Sequence, residues 1–586
     1  MDIHDPETAD GLMTTTPTSR TRASTHKKLK ITLVIIGAGT LLLIIILVCV
    51  FATGGSSDKP DPDKPDPEDN PAVFLSKTPT AYQNESFTIS WKTERMKPKS
   101  TNCTLKGFTY TLPNLTPAGE YSFHIKKAGS FIFTMDCVEY AENKTVTNTS
   151  HAQIEVVVLS VFAAGSGTAE DPYILQDCYA LQSMELELDA AYILTKDIDC
   201  YMTRDWSNQR GFFAIGQGND DAFTGTIDGQ GHSVFELFIG RSDYCFVKDN
   251  SGIISNLFFR NAKFNITYGD GMWVGGVACS NDHIIHDVYF EGYFGEFGNP
   301  YYLGGLVAIN HVYGNIDNCT AIVDMNLQLK TTSLHLGGLV GHNYGKINAT
   351  SATGSIKLNI TDKQVESYPS SSASDSNKDF LRIGDLAGAS TNGRIELSHS
   401  VGSISITTTK PLRKNIFKIG GLVGILENTT VLRSYSGSDM KVNSELESYV
   451  GGLIGEADES SEIENCFSRS NLQGNLKESW EKGIAAGLVA TLKGKVINCY
   501  YAGKSIIKAN YEGGLLGETH DPSKIENSYW DKEFSGIGSS KGGEGKNTKD
   551  MYKETNYKDW NFDTIWKIEE GKNYPSLKTP FDKQDL

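Results

Sequence analysis

The sequence has little proline and no excess of basic residues. Its 586 residues include 58 glycines but 18 prolines, which favours many turns and argues against collagen or a largely disordered chain. The net charge is −17, so the chain has no basic field for nucleic acid, and no nucleic-acid partner is expected. The length exceeds what one ordinary core can organise and predicts several domains or one solenoid.

Signatures of catalysis are also scarce. The sequence contains no H-E-x-x-H and no C-x-x-C pair, so the common zinc-ligand patterns are missing. Residues 542–548 faintly resemble a phosphate loop, but Asn547 stands where Ser or Thr should bind Mg²⁺. Asp228 and His232 could act as acid and base, although the glycines between them favour a tight turn. We therefore predict that the protein is not an enzyme and has no cofactor.

One long apolar run stands near the N-terminus. Ile31 to Thr53 carries no charge and, at about 23 residues, can cross roughly 30 Å of hydrocarbon as a helix. Lysines precede the run and a Pro/Asp-rich tract follows it, so the positive-inside bias places the N-terminus in the cytoplasm. This predicts a disordered cytoplasmic tail (1–30), a transmembrane signal anchor (31–53) and an extended stalk (54–71). A cleaved signal peptide is the alternative, since residues 50–52 form an acceptable cleavage sequence.

The predicted location is therefore the plasma membrane, single-pass and type II, with the C-terminal region extracellular. Residues 72–160 alternate apolar and polar in short runs separated by turns, which predicts a small antiparallel β-sandwich. Cys103 and Cys137 fit one disulfide within it. The run Phe87–Trp91 with these two cysteines resembles Ig-like surface domains, but Trp91 precedes the first cysteine instead of lying between the two.

The rest of the chain is a repeat array. A glycine pair followed by two aliphatic residues recurs at Gly275, Gly304, Gly337, Gly384 (as Gly-Asp), Gly420, Gly451, Ala486 (as Ala-Gly) and Gly513. Each unit then has a second short strand, which predicts a parallel β-helix over 161–580, before a short tail at 581–586. Asp177 can N-cap a helix near 177–184 that closes the start of the solenoid. The sequence leaves open whether Cys178 in this cap forms a disulfide with Cys200.

The units show which positions face the core. An aliphatic residue such as Ile316 is followed by a mostly polar residue and then, in five units, by asparagine: Asn256, Asn318, Asn465, Asn498 and Asn527. Asparagine tolerates left-handed backbone, so this position predicts a repeated bend. The next position is never charged and should point inward. It holds Cys319, Cys466 and Cys499, which we predict to be stacked buried thiols.

Several segments together resemble the GLUG-motif family over roughly residues 163–580. They are the opening Gly-Ser-Gly-Thr-Ala-Glu-Asp-Pro-Tyr at 165–173, the Thr-Ile-Asp-Gly-Gln-Gly-His segment at 226–232, the Gly-Gly-Leu-Val-Gly repeats and the aromatic run at 527–531. The resemblance implies a β-helix of secreted and surface proteins, including adhesins and regions that flank surface proteases. It implies no catalytic residue.

Glycosylation and calcium binding are the modifications that the residues suggest. The predicted N-glycosylation acceptors are Asn84, Asn102, Asn114, Asn143, Asn148, Asn265, Asn348, Asn359 and Asn428. Asn318 also stands in an acceptor pattern, but the bend makes it a poor candidate. Calcium could be held by Asn219, Asp220 and Asp221, or near Asp282, although an ordinary acidic loop is the favoured interpretation.

Aromatic residues recur after the bend at Phe258, Tyr289, Tyr435, Phe467, Tyr500 and Tyr529. If they face outward, they form a stripe on which sugar rings could stack; packing within the coil is the favoured interpretation. Overall the sequence predicts an all-β cell-surface glycoprotein that displays a β-helix for adhesion to an extracellular glycan or surface protein. An extracellular carbohydrate-active enzyme and a passive coat protein are the alternatives.

Overall fold

The structure is a computed structural model. It describes residues 70–78, 81–83, 85–218, 221–240, 244–265, 270–295, 299–329, 333–360, 380–408, 416–476 and 482–578. The described residues belong to one compact unit. The predicted tail (1–30), anchor (31–53), nearly all of the stalk (54–71) and the last residues (581–586) lie outside the described residues. No helix among the described residues has both the length and the apolar character needed to cross a membrane.

The first described domain consists of two sheets around one core, antiparallel except where the short edge strand Ala81–Tyr82 pairs in parallel with Val146–Leu159. The three-stranded sheet contains Ala72–Lys77, Ser86–Glu94 and Ala118–His124. The five-stranded sheet contains Ala81–Tyr82, Thr101–Gly107, Tyr110–Leu115, Gly129–Tyr140 and Val146–Leu159. Alternate residues of the two sheets, among them Ile89 and Met135, meet in one apolar cluster. This is the arrangement that period-two alternation predicts.

The disulfide of this domain joins Cys103 to Cys137, whose Cα atoms are 4.1 Å apart. The two residues face each other on neighbouring strands of the five-stranded sheet. The disulfide of an antibody domain joins its two sheets, so this feature differs from the Ig-like pattern.

A short helical cap begins the second domain. The helix Cys178–Ser183 starts after Asp177, whose side chain accepts a hydrogen bond from Ala180 N at 2.9 Å. Leu181 and Met184 are fully buried, and Cys178 is disulfide-bonded to Cys200. The 3₁₀ turns Met184–Leu186 and Tyr201–Asp205 complete the cap. The buried apolar residues of the cap belong to the same apolar cluster as the interior of the coil.

The second domain is a parallel β-solenoid of about nine turns, so the sequence prediction of a β-helix is confirmed. From Ile253 to Thr519 each turn visits four sheets in the same order, which we number 1 to 4. Every strand pairs in parallel with its equivalent in the next turn, as Ile316 does with Ile347 in sheet 1. The chain thus shares backbone hydrogen bonds along the long axis of the coil.

The strand bounds follow this order. Sheet 1 contains Tyr173–Leu175, Ala191–Leu194, Thr226–Asp228, Ile253–Ser255, Ile284–His286, Asn315–Asp317, Lys346–Asn348, Arg394–Glu396, Thr430–Leu432, Glu462–Glu464, Lys495–Ile497 and Ile525–Glu526. Sheet 2 contains Ile198–Asp199, Ser233–Phe235, Phe238–Gly240, Phe258–Asn265, Tyr289–Gly295, Thr320–Leu329, Ser351–Ile360, His399–Ser400, Ser403–Thr408, Tyr435–Ser436, Asp439–Asn443, Phe467–Ser468, Asn471–Asn475, Tyr500–Tyr501, Ser505–Lys508, Tyr529–Asp531 and Glu544–Lys546.

Sheet 3 contains Asp270–Gly275, Asn299–Gly304, Leu334–Gly337, Phe380–Gly384, Ile416–Gly420, Glu447–Gly451, Gly483–Ala486 and Tyr511–Gly513. Sheet 4 contains Val247–Asn250, Ala278–Asn281, Val307–Asn310, Val340–Asn343, Ala387–Thr391, Val423–Glu427, Ile454–Ala457, Val489–Leu492 and Leu516–Thr519. After the coil come the helices Lys532–Ser535 and Thr548–Met551, the 3₁₀ turn Glu554–Asn556 and the hairpin Trp566–Lys567 with Ser576–Leu577; a further 3₁₀ turn, Pro522–Lys524, precedes the last strand of sheet 1.

The glycine pairs make the corner between sheets 3 and 4. A Cβ atom on Gly304 would lie 1.9 Å from the carbonyl oxygen of Val307, so only glycine or a slightly displaced alanine fits. The aliphatic residue after each pair, leucine in all but the first, points into the core, where Val277, Leu306, Leu339 and Leu422 belong to one cluster. Leu306 N donates to Leu339 O at 2.9 Å. The leucines therefore form one column, as a continuous coil requires.

A buried asparagine ladder forms the corner between sheets 4 and 1. Asn250 donates its amide to Asn281 Oδ1 at 2.7 Å, Asn281 to Asn310 at 2.8 Å, and Asn310 to Asn343 at 2.8 Å. These side chains are fully buried, so the ladder satisfies polar groups that would otherwise be costly. The sequence prediction did not include this ladder.

Candidate functional site

The chain passes from sheet 1 to sheet 2 through one residue in the left-handed conformation. Its φ angle is between 43° and 55° in nine successive turns, at Asn256, Asp287, Asn318, Ala349, Leu397, Arg433, Asn465, Asn498 and Asn527. The predicted bend at the five asparagines is confirmed, and the structure extends it to four turns with other residues. Asparagine adopts this conformation more readily than most residues. We call these positions the bend column.

The residue after each bend points into the core, as predicted. Cys319, Cys466 and Cys499 occupy this position, are buried and carry free thiols. Burial raises the pKa of the Cys319 thiol to about 12, so this thiol is protonated and unreactive at neutral pH.

The next residue in each turn lies on the outside of the coil. The positions pair in register along sheet 2 as Phe258, Tyr289, Thr320, Ser351, His399, Tyr435, Phe467, Tyr500 and Tyr529. We call them the aromatic column. Phe259 and Phe290, one residue further on, are in the main core, so strand alternation turns the aromatic column away from it. The interpretation that these aromatics fill the coil was therefore wrong. The bend residue interrupts the alternation of the strand, so the residue directly after the bend faces the core and the aromatic position after that faces outward.

Neighbouring rings of the aromatic column stack face to face toward the C-terminus. Ring centroids are 4.8 Å apart from His399 to Tyr435, 4.7 Å from Tyr435 to Phe467 and 5.0 Å from Phe467 to Tyr500, with interplanar angles of 10° or less. These distances match the spacing of adjacent parallel strands. The solenoid thus builds a regular outer row of rings.

A C-terminal segment covers this part of the row. We call residues 544–578 the C-terminal strap. Trp566 is completely buried, and Trp560 is 7 % exposed; both pack with Phe467, Tyr500 and Tyr529 in one cluster. The indole Nε1 of Trp566 donates to Asn465 Oδ1 at 3.1 Å. The strap therefore occupies both the bend column and the aromatic column.

The same two columns are open nearer the N-terminal end. There they line a groove of about 610 Å³ formed by Asp228, Gln230, Gly231, Asn256, Phe258, Asp287, Val288, Tyr289, Asn318 and Thr320. We call this the open groove. Its size is in the range of ligand sites. Phe258 and Tyr289 are half-buried on its floor, and their ring centroids lie 6.2 Å apart at an interplanar angle of 75°.

An arginine closes one side of the aromatic pair. Arg260 Cζ lies 4.8 Å from the Tyr289 ring centroid and 5.9 Å from that of Phe258. Its Nη1 is 3.9 Å from Glu291 Oε2, and Tyr289 Oη donates to the same carboxylate at 3.4 Å. Burial raises the pKa of Tyr289, so its hydroxyl keeps its proton. The floor therefore offers ring faces beside a held cation.

Amide–carboxylate pairs form the rim of the groove. Asn256 Nδ2 donates to Asp228 Oδ1 at 2.9 Å, and Asn318 Nδ2 donates to Asp287 Oδ1. Burial raises the pKa of Asp287, but hydrogen bonds from His286 and Asn318 outweigh burial and hold the pKa below its usual value. Asp287 is therefore an anion at neutral pH, and the rim is polar and negatively charged.

Comparison with known proteins places a recognised repeat beside this groove. The family model described as the GLUG motif matches residues 299–326. This stretch runs from sheet 3 through the glycine corner to the bend at Asn318 and into sheet 2, so it is one full turn. Residues 299–326 are a GLUG motif.

Two proteins of known sequence share part of this chain's sequence. Halomucin of Haloquadratum walsbyi is 31% identical over 168 residues, which is 27% of this chain and 2% of halomucin. A putative Gly-rich membrane protein of Evansella cellulosilytica is 31% identical over 138 residues, which is 22% of this chain and 16% of that protein. The chain therefore spans only a small part of both relatives. No solved structure matches the chain.

The GLUG motif contributes to two surfaces of its turn. It supplies Asn318 and Thr320 to the open groove. On sheet 3 it supplies Tyr302, whose ring centroid is 4.9 Å from that of His335 and 5.8 Å from that of His342. The two histidine rings stack at 4.7 Å. This second cluster was not predicted, although in seven of the eight repeats an aromatic or basic residue stands two positions before the glycine pair.

The hydrogen bonds of the second cluster fix both histidine tautomers. Arg382 Nη1 donates to His335 Nε2 at 2.7 Å, so the proton of neutral His335 is on Nδ1. Thr391 donates to Glu427 at 2.8 Å and therefore accepts from His342 Nε2 at 2.9 Å. Burial lowers the pKa of His342 to about 3 and that of His335 well below its usual value. Both rings are neutral at pH 7.

The structure adds a disulfide that the sequence interpretation missed. Cys245 is bonded to Cys279, with Cα atoms 5.5 Å apart. The two residues are not register equivalents, because Val247 pairs with Ala278. This offset turns their side chains toward each other, whereas the thiols at equivalent positions stay parallel.

The predicted glycosylation acceptors differ in accessibility. Asn102, Asn114, Asn143, Asn359 and Asn428 are exposed; Asn148, Asn265 and Asn348 are half-buried; Asn84 lies outside the described residues. The acceptor nitrogens of Asn102 and Asn148 donate to Asn114 and Glu139, respectively. Glycosylation of all these sites stays a prediction.

The weaker candidates for chemistry are kept apart by the fold. Asp228 Oδ1 accepts from Gln230 N at 2.9 Å, whereas His232 Nδ1 lies 3.3 Å from Asp197 Oδ1, so Asp228 and His232 do not form a pair. Residues 538–542 fit G-x-S-x-G, but Ser540 Oγ accepts from the backbone N of Leu516. Of the calcium candidates, Asn219 and Asp220 lie outside the described residues. Among the described residues, no group of three or more His, Cys, Asp or Glu side chains is placed so that it could hold a metal ion.

Proposed function

We propose that this chain is a single-pass type II surface glycoprotein that displays a β-solenoid for recognition of an extracellular ligand. The apolar run at 31–53 would anchor it, the Pro/Asp tract at 54–71 would act as a stalk, and the Ig-like sandwich would be a spacer. The GLUG motif and the relative named as a membrane protein support a surface location. The observation that carries recognition is the open groove.

The groove has the composition of a recognition site. Its floor holds two aromatic rings that remain partly accessible, and its rim holds amide and carboxylate groups. Accessible aromatics among a few placed polar groups are typical of binding sites. Phe258 and Tyr289 lie on paired strands of the solenoid, so the fold holds the groove in shape without the ligand and limits the entropy lost on binding.

Binding suits this groove better than catalysis. A glycosidase needs one carboxyl group that keeps its proton near neutral pH and a second that is ionised. Hydrogen bonds from His286 and Asn318 instead hold Asp287 ionised, and Asp228 is tied to Asn256. We therefore propose adhesion or recognition over a carbohydrate-active enzyme, and over a passive coat protein that would need no such groove.

The test compares beads that carry the full chain with beads that carry variants, on arrays of glycans and of surface proteins. We expect the double variant Phe258→Ser/Tyr289→Ser to lose at least about 90% of specific binding, because it removes both ring faces. Tyr313→Ser is the matched control, since Tyr313 is 83% exposed and lies outside the groove. Equal binding by the double variant, or no binding by the wild type, would contradict the proposal.

A further inference from the structure

The chain contains an occupied copy of its own open groove. Phe258 and Phe467 occupy the same position of the aromatic column, each paired in register with a tyrosine of the next turn, Tyr289 and Tyr500. Both are preceded at two residues by a bend asparagine and followed at two residues by an arginine. The second set is Asn465, Phe467, Arg469 and Tyr500.

The arginine lies at similar distances from the rings in the two sets, although the ring pairs differ: Phe467 and Tyr500 stack at 9°, whereas Phe258 and Tyr289 meet at 75°. Arg469 Cζ lies 5.0 Å from the Phe467 centroid and 5.9 Å from the Tyr500 centroid. The corresponding distances from Arg260 are 5.9 Å to Phe258 and 4.8 Å to Tyr289. In both sets a guanidinium group therefore bridges two successive rings. One set lines the open groove, and the other is covered by the C-terminal strap.

The contacts of the strap show which chemical groups bind to this set of residues. The ring centroid of Trp566 lies 6.2 Å from those of Phe467 and Tyr500, and its indole N–H donates to Asn465 Oδ1. Arg469 Nη2 donates to the backbone carbonyl of Pro575 at 3.1 Å. The occupant thus supplies one aromatic ring with an N–H donor and a nearby backbone carbonyl.

We propose that the ligand of the open groove is a tryptophan-bearing polypeptide segment of a partner protein; this rests on the proposed role of the groove in recognition. The indole packs on Phe258 and Tyr289 and donates to Asn256, and a partner carbonyl accepts from Arg260. The aromatic column continues with Thr320, not a ring, so the groove holds one indole. Asp228 and Asp287 on the rim favour a lysine or arginine beside that tryptophan.

A second copy of this chain is not the favoured partner. Its Trp566 and Trp560 are already buried against its own coil, and its partly exposed Trp273 is held in a paired strand of sheet 3. These tryptophans are therefore not available unless the strap or that strand detaches. A glycan could also stack on the rings, but the occupied copy binds peptide groups. A separate protein with an accessible tryptophan therefore fits the open groove best.

The experiment titrates the full chain with a labelled synthetic peptide that copies residues 564–578, which contains Trp566 and Pro575. Fluorescence anisotropy reports binding. We expect the peptide with Trp566→Ala to bind at least about tenfold more weakly. The chain variant Phe258→Ala/Arg260→Ala should show the same loss, whereas Tyr313→Ala should bind like the wild type.

Several outcomes would overturn the inference. The first is that the peptide does not bind, and the second is that the Trp566→Ala peptide binds as tightly as the unchanged peptide. The third is that the peptide binds the Phe258→Ala/Arg260→Ala chain as tightly as the wild type, because the peptide would then have displaced the strap instead of entering the open groove. Self-association of the full chain that depends on Phe258 would identify a second copy as the occupant. If the glycan array loses signal with the groove variant while the peptide does not bind, recognition at the groove stands and the polypeptide ligand is wrong.

Discussion

Asn256 and Asn465 occupy the same position in two turns of the solenoid and have different partners. Asn465 Oδ1 accepts the indole N–H of Trp566, whereas the amide of Asn256 donates to Asp228 at the edge of the open groove. Both have left-handed φ angles, 50° and 52°. The repeat therefore presents one surface several times, and the strap covers only part of it.

Replacement of Trp566 should detach the strap. Trp566→Ala removes a completely buried indole, and such substitutions cost about 3–5 kcal/mol. We expect amide hydrogen exchange in residues 544–578 to become faster, while exchange in the leucine column stays slow. Trp273→Ala is the control, because Trp273 is 39% exposed. Unchanged protection of the strap in Trp566→Ala would disprove its anchoring role.

The buried carboxyl group of Asp385 should make the solenoid less stable as pH rises. Burial raises its pKa to about 7, although Ser438 and Gly402 N donate to it. The folded state therefore holds a proton that the unfolded state releases above about pH 4. Stability should fall between about pH 4 and 7 by roughly 4 kcal/mol and then level off. Asp385→Asn should remove this component in urea titrations at several pH values; parallel wild-type and variant curves would refute it.

His342 should act in the opposite direction. Burial lowers its pKa to about 3. Below about pH 6.5 the histidine is therefore protonated in the unfolded state but stays neutral in the folded state. Its contribution should therefore be lost as pH falls from about 6.5 to 3, by roughly 4–5 kcal/mol at the lower end. His342→Gln should flatten the acid side of the stability profile, and His283→Gln, at an exposed histidine, should not. If the pH dependence of the free energy of unfolding is the same with and without His342, the claim that this histidine is buried in its neutral form is wrong.

The bend column offers a stabilising substitution. Leu397 has a φ angle of 51°, and left-handed backbone costs a residue with a branched side chain about 1–2 kcal/mol. Leu397→Asn should therefore raise the free energy of unfolding by about 1 kcal/mol. Leu432→Asn, on a neighbouring strand without this conformation, should give no gain. Thermal denaturation of both variants measures the difference, and destabilisation by Leu397→Asn would show that its packing outweighs its backbone strain.

The coil was predictable because its signals recur at equivalent positions. Each unit repeats a glycine pair, an aliphatic residue at the position of Leu306 and, in five units, an asparagine at the position of Asn256. Alignment of the units within one sequence therefore shows which residues of each strand face the core. The buried ladder at Asn310 was also visible, as an asparagine in the strand after the glycine pair, but it was not recognised. Repetition thus determines the fold more fully than any one local propensity.

The site was less predictable because it depends on contacts far apart in sequence. Nothing local in Trp566 shows that it packs on Phe467, about 100 residues earlier, or that the strap stops before Tyr289. The outward direction of Phe258 follows from the bend at Asn256, whose effect on alternation requires the backbone angles. Cys245 and Cys279 bridge through a register offset that spacing alone does not give.

Hydrogen–deuterium exchange of the full chain, with and without the 564–578 peptide, tests the central claim most directly. The account predicts new protection at residues 256–260 and 287–291, which form the open groove, and no change at 465–469, which the strap already covers. Protection confined to 465–469, or spread over the sandwich with none at Phe258 and Tyr289, would contradict it.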